Sequence, residues 1–315
     1  GSGSLLLKVA DEAEKLVSVF GQENDTTTAA LSRMNMILHN NPTAVIRQGN
    51  TLSNPLFKDD QGRLKTFDYV VANPPFSFKS WSNGVNIPEE QKDGGRFYGY
   101  GVPPSKNGDY AFLLHILKSL RSNGKAAVIL PHGVLFRGNA ESEIRQNLIR
   151  KGVVKGIIGL PANLFYGTGI PACLILLDKE NSHTRKGIFM IDAGKGFMKD
   201  GNKNRLREQD IHRLVDVFNK QLEIPKFSRM VPISEIEDKE FNLNIPRYID
   251  STEPEDIQNI EAHLKGDIPD VDIDALQNYW EVYPNLKNHL FEPTRPNFKK
   301  LKVGKEEIKQ SIFSF

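Results

Sequence analysis

The sequence has one cysteine, almost no excess of either charge, and no apolar run long enough to span a bilayer. A lone cysteine excludes a disulfide within the chain. Its setting, Ala172-Cys173-Leu174-Ile175-Leu176-Leu177, predicts a buried strand residue in a reducing cytoplasm. No polar activating group adjoins Cys173, so a nucleophilic role is not expected. The seven histidines share no metal-ligand spacing with Cys173 or with one another, which predicts no metal site. His39, His115 and His132 read as helix-end or packing residues. Short apolar runs and an opening without a signal-peptide pattern predict no membrane association. A formal charge of +2 over 315 residues is far below the basic patch of a self-sufficient DNA-binding domain. If nucleic acid is the substrate, a partner must supply much of the phosphate grip.

What is present is ordinary globular material, 39% hydrophobic and 25% charged, enough for one large domain with an appendage or for two domains. The spacing predicts a helix from Leu5 to about Lys15, then a strand over Leu16 to Phe20 ending in Gly21-Gln22-Glu23. Thr26 to His39 has helical apolar spacing at Ala30, Met34 and Ile37-Leu38, with threonines able to cap its start. Ala44 to Asn50 reads as a short strand and turn, and Phe67 to Ala72 as a further strand. A Gly-, Asn- and Pro-rich loop over 77–108 follows, of a length usually functional or mobile.

Alternation then resumes. Helices are expected over Asp109 to Leu120 and Ala140 to Ile149, and strands over Lys125 to Pro131, Val153 to Leu160, Cys173 to Leu177 and Ile188 to Ile191. This is an α/β pattern, a mostly parallel sheet with helices on both faces. Near residue 199 the composition changes. Residues 1–199 read as one domain and 200–315 as a largely helical extension, with helices over Asn204 to Leu222, Pro254 to Lys265 and Asp274 to Trp280. Tyr279-Trp280 and Leu290-Phe291 read as exposed-looking apolar groups able to dock on another helical protein, with packing back onto the first domain as the alternative for some of them.

The chemistry concentrates in Phe67-Asp68-Tyr69-Val70-Val71-Ala72-Asn73-Pro74-Pro75-Phe76. A β-branched and aromatic run ends in two prolines, which permit neither ladder pairing nor helix. The rim so formed carries an amide side chain, a carbonyl and an aromatic ring. An exocyclic amine of a nucleobase needs two acceptors and a flat surface to stack on. A plain Pro-rich turn is the blander reading, but Asn-Pro-Pro-aromatic after a buried strand is more specific. It resembles the catalytic motif of amino-group DNA methyltransferases.

Gly1-Ser2-Gly3-Ser4 opens the chain before the helical Leu5-Leu6-Leu7. Small residues at a strand-to-helix turn admit a ligand close to the backbone, and the helix N-terminus offers N–H groups. The same four residues have the composition of a cloning scar. Glu23 stands twenty positions after Gly3, near the spacing of the ribose-binding acid in nucleotide-binding α/β folds. Asn50, in Gly49-Asn50-Thr51-Leu52, holds the next rim position, where it could meet the adenine of a cofactor; it is also an ordinary turn residue.

Across nearly its whole length the chain resembles the modification subunits of type I restriction-modification systems, adenine-N6 DNA methyltransferases. The resemblance is carried by Gly1-Ser2-Gly3-Ser4-Leu5-Leu6, Gly21-Gln22-Glu23 and Leu31-Ser32-Arg33-Met34-Asn35-Met36-Ile37-Leu38-His39. Further on it is carried by Tyr110-Ala111-Phe112-Leu113-Leu114-His115, Leu130 to Gly138, Leu160 to Ala172 and Phe241 to Tyr248. It implies a Rossmann-like S-adenosylmethionine-dependent methyltransferase sheet. Asn73, Pro74, Pro75 and Phe76 are then the catalytic residues, and Gly1, Ser2, Gly3, Ser4, Glu23, Asn50 and Leu52 the cofactor-binding ones.

S-adenosylmethionine is the implied cofactor. DNA with an extruded adenine, a specificity subunit, a restriction subunit and a second modification subunit are the implied partners. The 77–108 loop and Tyr166-Gly167-Thr168-Gly169, within the 161–171 loop, could help clamp the substrate, or be ordinary surface connections. The family places a helical domain and a first strand ahead of the glycine loop, where this sequence begins, so loss of that strand is expected to leave a seam in the sheet. Asn50 stands where the family often has Asp, which leaves a neutral acceptor for adenine. Two other readings stay open on the residues alone: a nicotinamide-dependent oxidoreductase, and a non-catalytic structural or DNA-docking module.

Overall fold

Strands form where the β-branched runs predict them, with one displacement. The computed structural model describes residues 1–251 and 259–314. They fall into two units, Gly1–Thr252 and Glu253–Phe315. The first begins with α1 (Ser4–Asp11), β1 (Phe20–Glu23), α2 (Thr26–Leu38), β2 (Val45–Gln48) and β3 (Phe67–Ala72). It continues with α3 (Ile87–Glu90), α4 (Asp109–Lys118), β4 (Leu120–Pro131), α5 (Ala140–Arg150), β5 (Val154–Gly159), β6 (Ala172–Asp178) and β7 (Gly187–Asp192). A hairpin of β8 (Met198–Asp200) and β9 (Lys203–Arg205) leads to α6 (Glu208–Lys220), β10 (Ser228–Pro232) and α7 (Ile233–Asp238).

The displaced strand is β1. Strand structure was expected over Leu16 to Phe20, but pairing starts at Phe20, opposite Val45, and Leu16 is fully exposed. A strand exists only where a neighbour satisfies its backbone, and β2 reaches no further back than Val45. The start of α2 also differs from expectation: Asp25, not a threonine, caps it by accepting the Thr28 N–H at 2.7 Å. Its buried face is Ala29, Ser32 and Met36, while Met34, Ile37 and Leu38 are exposed.

Six strands form a mixed sheet in the order β10-β7-β5-β6-β4-β3. Only β3/β4 and β5/β7 are parallel; β4/β6, β5/β6 and β7/β10 are antiparallel. The expected mostly parallel sheet is corrected here. A parallel return needs a crossover, usually a helix, but residues 160–171 between β5 and β6 contain none. β1 and β2 form a separate parallel pair.

Alternate residues enter opposite layers of core, as a pleated strand requires. Ile157, Cys173, Ile175, Ile188 and Met190 join the cluster containing residues of α4 and α5. Ile158, Phe189 and Ile191 join a second cluster with Leu214 and Val217 of α6. Because β10 pairs with β7, the sheet extends past residue 199, and the first unit ends at Thr252.

The second unit has a three-stranded antiparallel sheet, β11 (Ile268–Pro269), β13 (Phe298–Leu301) and β12 (Phe291–Arg295), as well as short helices. The helix expected from Pro254 is seen over Ile260–Lys265; residues 254–258 lie outside the described residues. Trp280 and Leu290 are buried, not exposed as expected, because they cluster with Ile273, Leu286 and Phe291; Tyr279 is exposed. No described helix is long and apolar enough to cross a membrane.

His115 on α4 is held beside a buried cation. Arg96 Nη1 lies 3.3 Å from its Nδ1, and Arg96 pairs with Glu90 at 2.5 Å. Burial first, and the Arg96 charge second, hold the imidazole neutral down to about 3. The unfolded chain takes up this proton below the ordinary value of 6.5, so it binds more protons than the fold between the two values. The stability from this site is complete above pH 6.5 and is lost as pH falls toward 3, by about 1.4 kcal/mol per pH unit. Urea unfolding at pH 7, 6 and 5 should therefore give a shallower pH slope for His115→Gln than for the parent; parallel slopes would refute the assignment.

Candidate functional site

The loop after β2 and the loop after β3 meet. Leu52 is buried in one cluster with Trp81 and Phe97, and a Cβ added at Gly84 would lie 3.1 Å from Ser53 Cβ. The expected cofactor residues and the Asn-Pro-Pro-Phe turn therefore lie on adjoining loops at strand ends.

At the cofactor side, Gly3 precedes α1 with φ +84°, a left-handed conformation that favours glycine. Space imposes the same choice. A Cβ at Gly3 would sit 2.6 Å from Ser32 Oγ and 2.7 Å from Met36 Cε on α2. Asn35 Nδ2 donates to the Ser2 carbonyl at 3.1 Å, and the Ser2 and Ser4 hydroxyls are 2.9 Å apart. Ser32, Asn35 and Met36 thus shape the glycine turn; they were in the sequence as part of a helix, with no signal marking their partner.

Glu23 ends β1 beside this turn. Its carboxylate accepts the Asp25 N–H at 2.9 Å and lies against Gly1. Partial burial opposes ionisation of this carboxyl, and the Asp25 and Asn24 N–H groups favour it. Gly49 N–H donates to the Glu23 carbonyl at 2.9 Å, which sets Asn50 beside it.

Two expected contacts change character. Asn50 Oδ1 accepts the Leu52 N–H at 2.8 Å and the Ser53 N–H at 3.2 Å. Both lone pairs of its acceptor are then engaged in its own loop, and the amide –NH₂ is what it has left to offer. Leu52 is 2% exposed, and its side chain belongs to the core. Gln22, unremarked in the sequence, organises this loop by donating to Asn54 O at 2.8 Å and accepting from Leu56 N at 2.9 Å.

At the turn after β3, Asn73 and Pro75 are exposed and Pro74 is buried. Phe76 meets Phe165 edge-on, with ring centroids 5.8 Å apart and planes at 75°. Phe165 belongs to the 161–171 loop, held from behind by the β8–β9 hairpin. Lys203 Nζ donates to Phe165 O at 2.8 Å and Thr168 O at 3.1 Å, and Asn204 Nδ2 to Ala162 O at 2.7 Å. Tyr166, at the loop tip, is 93% exposed.

The 77–108 loop has a core of its own. Trp81 and Phe97 are buried and packed edge to face at 5.8 Å, Trp81 Nε1 donates to Pro104 O at 2.9 Å, and Gly108 N–H closes the neck on Phe78 O at 3.0 Å. A shallow cleft of about 580 Å³ lies at the opposite ends of β5, β6 and β7. Its Lys155 and Arg185 are drawn to Asp178 at 2.9 and 3.9 Å, so it is no rival to this site. Among the described residues no group of three His, Cys, Asp or Glu side chains is placed to hold a metal ion.

A Rossmann-like fold bearing an acid after one strand and Asn-Pro-Pro-Phe after another defines the class, and comparison with known proteins assigns the family. Residues 1–257 match the N-6 DNA methylase family, and the chain belongs to it. Membership removes the nicotinamide-dependent oxidoreductase reading. The type I restriction enzyme MpnII methylase subunit of Mycoplasma pneumoniae is 33% identical over 302 residues, 91% of this chain and 54% of the relative. The MjaVII methylase subunit of Methanocaldococcus jannaschii is 32% identical over 277 residues, 84% of this chain and 47% of the relative. The solved methyltransferase subunit of a type I restriction-modification system from Streptococcus thermophilus is 38% identical with a TM-score of 0.73, covering 80% of this chain and 52% of that one. The chain spans about half the length of these relatives.

The close approach at Gly3 makes a stability prediction. Gly3→Ala combines an unfavourable left-handed φ with a clash against α2, and should cost roughly 1–3 kcal/mol. An unchanged urea midpoint would show that α1 and α2 separate freely.

Proposed function

We propose that this chain is the catalytic portion of a type I modification subunit, transferring a methyl group from S-adenosylmethionine to adenine N6 in DNA. The observation that carries the reading is the Asn73–Phe76 turn at the end of β3, which opens a loop whose Gly84 meets Ser53 of the Asn50 loop. The residues present fit the cofactor: Gly3 leaves space that a Cβ would fill, and Glu23, at the end of β1 beside it, offers a carboxylate to ribose hydroxyls. Asn50 is suited to donate through its amide nitrogen to a ring nitrogen of the cofactor's adenine. S-adenosylmethionine, when bound, supplies an electrophilic methyl group.

The work of this chain is to make adenine N6 a nucleophile. That nitrogen is poor because its lone pair is conjugated into the ring. The Asn73 side-chain oxygen and the Pro74 carbonyl accept its two hydrogens and draw it toward tetrahedral geometry. The lone pair is then exposed for in-line attack, and the energetic content is positioning and preorganised electrostatics. The base must leave the duplex stack. Phe76 offers it a stacking face, and the loop carrying Phe165 and Tyr166 closes on that side. A net charge of +2 neutralises few phosphates, so site-specific binding is assigned to a specificity subunit, with a second modification subunit and a restriction subunit completing the assembly in the cytoplasm.

Glu23→Ala in the full-length subunit removes two charge-assisted ribose contacts. It should weaken S-adenosylmethionine binding in calorimetric titration by roughly 1.5–3 kcal/mol for each bond lost. Unaltered affinity would show that Glu23 does not touch the ribose.

Asn73→Ala, in the subunit assembled with its specificity partner, should abolish methyl transfer to DNA while S-adenosylmethionine affinity persists. Near-normal turnover by that variant would sink the mechanism.

A further inference from the structure

The mechanism above leaves unused a line of buried ionic contacts that ends at the Asn-Pro-Pro-Phe turn. Asp109, the first residue of α4, has no exposed surface. One carboxylate oxygen accepts the Ser77 N–H at 2.8 Å, and the other accepts from Arg137 Nη2 at 2.5 Å. Arg137 Nε donates to Glu141 at 2.6 Å, in the first turn of α5. The Arg137 carbonyl accepts from the buried Arg145 at 2.9 Å, and Arg145 donates onward to Phe241 O at 2.7 Å. Charge-assisted bonds therefore run from the residue after Phe76 into the body of the first unit.

Such a brace answers a local need. Pro74 and Pro75 have no N–H, so the turn has few backbone donors by which it can be fastened. Ser77 adopts φ +52°, a left-handed conformation that a side chain other than glycine's disfavours. An ionised acceptor makes a stronger bond to an N–H than a neutral one, and it can hold Ser77 there. A buried carboxylate without a counter-charge is itself unfavourable, and Arg137 supplies that charge.

We propose that Asp109 is a positioning residue for methyl transfer: braced by Arg137, its carboxylate fixes the Asn73–Phe76 turn through the Ser77 N–H. The assignment rests on the reading of Asn73 and Pro74 as the acceptors of the target amine. Asp109 acts on the reaction only through them. Displacing the turn leaves the glycine loop and Glu23 untouched, so the loss should fall on turnover and not on cofactor binding.

The test uses the full-length subunit with its specificity partner and two readouts, turnover and hydrogen exchange. Asp109→Ala should lower kcat by about 100-fold, the scale of a displacement near 1 Å, while the Kd for S-adenosylmethionine stays within about threefold. Amide exchange of the peptide spanning residues 73–80 should quicken, with β5 and β6 unchanged. Asp109→Asn keeps an oxygen for Ser77 and should recover part of both. If Asp109→Ala does not fold, Asp109→Asn and Arg137→Gln decide by the same pair of readouts, with smaller changes in the same direction.

Parent-like kcat, slower turnover without faster exchange at 73–80, or faster exchange throughout the first unit would each overturn the proposal. A parent enzyme that transfers no methyl group would defeat the functional reading instead, and the exchange comparison would still decide whether Asp109 holds the turn.

Discussion

Two successive prolines at the end of β3 remove the N–H groups of Pro74 and Pro75, and the arrangement around the site follows from that lack. A turn without donors cannot be fixed by a ladder of its own. It is held instead by groups from distant parts of the chain: Asp109 at Ser77, Phe165 against Phe76, and the Trp81–Phe97 core of the loop that follows. The prolines stiffen the rim and at the same time make it depend on its surroundings.

The mixed sheet makes one of those supports available. β5 returns antiparallel through residues 160–171, so that loop emerges at the end where β4 finishes, with Pro131 opposite Ala172 and the His132 N–H on Pro171 O at 2.9 Å. β3 runs parallel to β4, which brings the Asn-Pro-Pro-Phe turn to the same end. A crossover helix in place of the loop would have carried the chain back along the sheet, and Phe165 would not lie beside Phe76. On the cofactor side the corresponding constraint is the contact of Gly3 with Ser32 and Met36, which brings α1 against α2 and presents the start of α1 next to Glu23.

Much of the fold was legible because burial and periodicity are local signals. β5, β6 and β7 and the helices α4 and α5 lie within a few residues of expectation, and β4 covers the expected 125–131 but starts earlier, at Leu120. The departures share a cause. Leu16 to Ser18 have strand-forming residues but no neighbouring strand, so propensity there found no partner. Met34, Ile37 and Leu38 suggested the inner face of α2, but the neighbour is a glycine turn, and small Ala29 and Ser32 permit the approach. Strand direction, the pairing of β10 with β7, and the small core around Trp280 all depend on which segments meet.

The site divides the same way. By itself the sequence determined the chemical inventory: an amide, a carbonyl and a ring after a strand, an acid twenty residues beyond a glycine turn, and a net charge of only +2. These are properties of residue type and spacing, and one dimension records them. Only the tertiary structure decided that Asn50 spends its oxygen on its own loop, that Leu52 is core, and that Asp109 and Phe165, backed by Arg137 and Lys203, meet the turn after β3. Hydrogen bonds and packing are made between neighbours in space, and residues 76 and 77 meet 165 and 109 only when the sheet has formed.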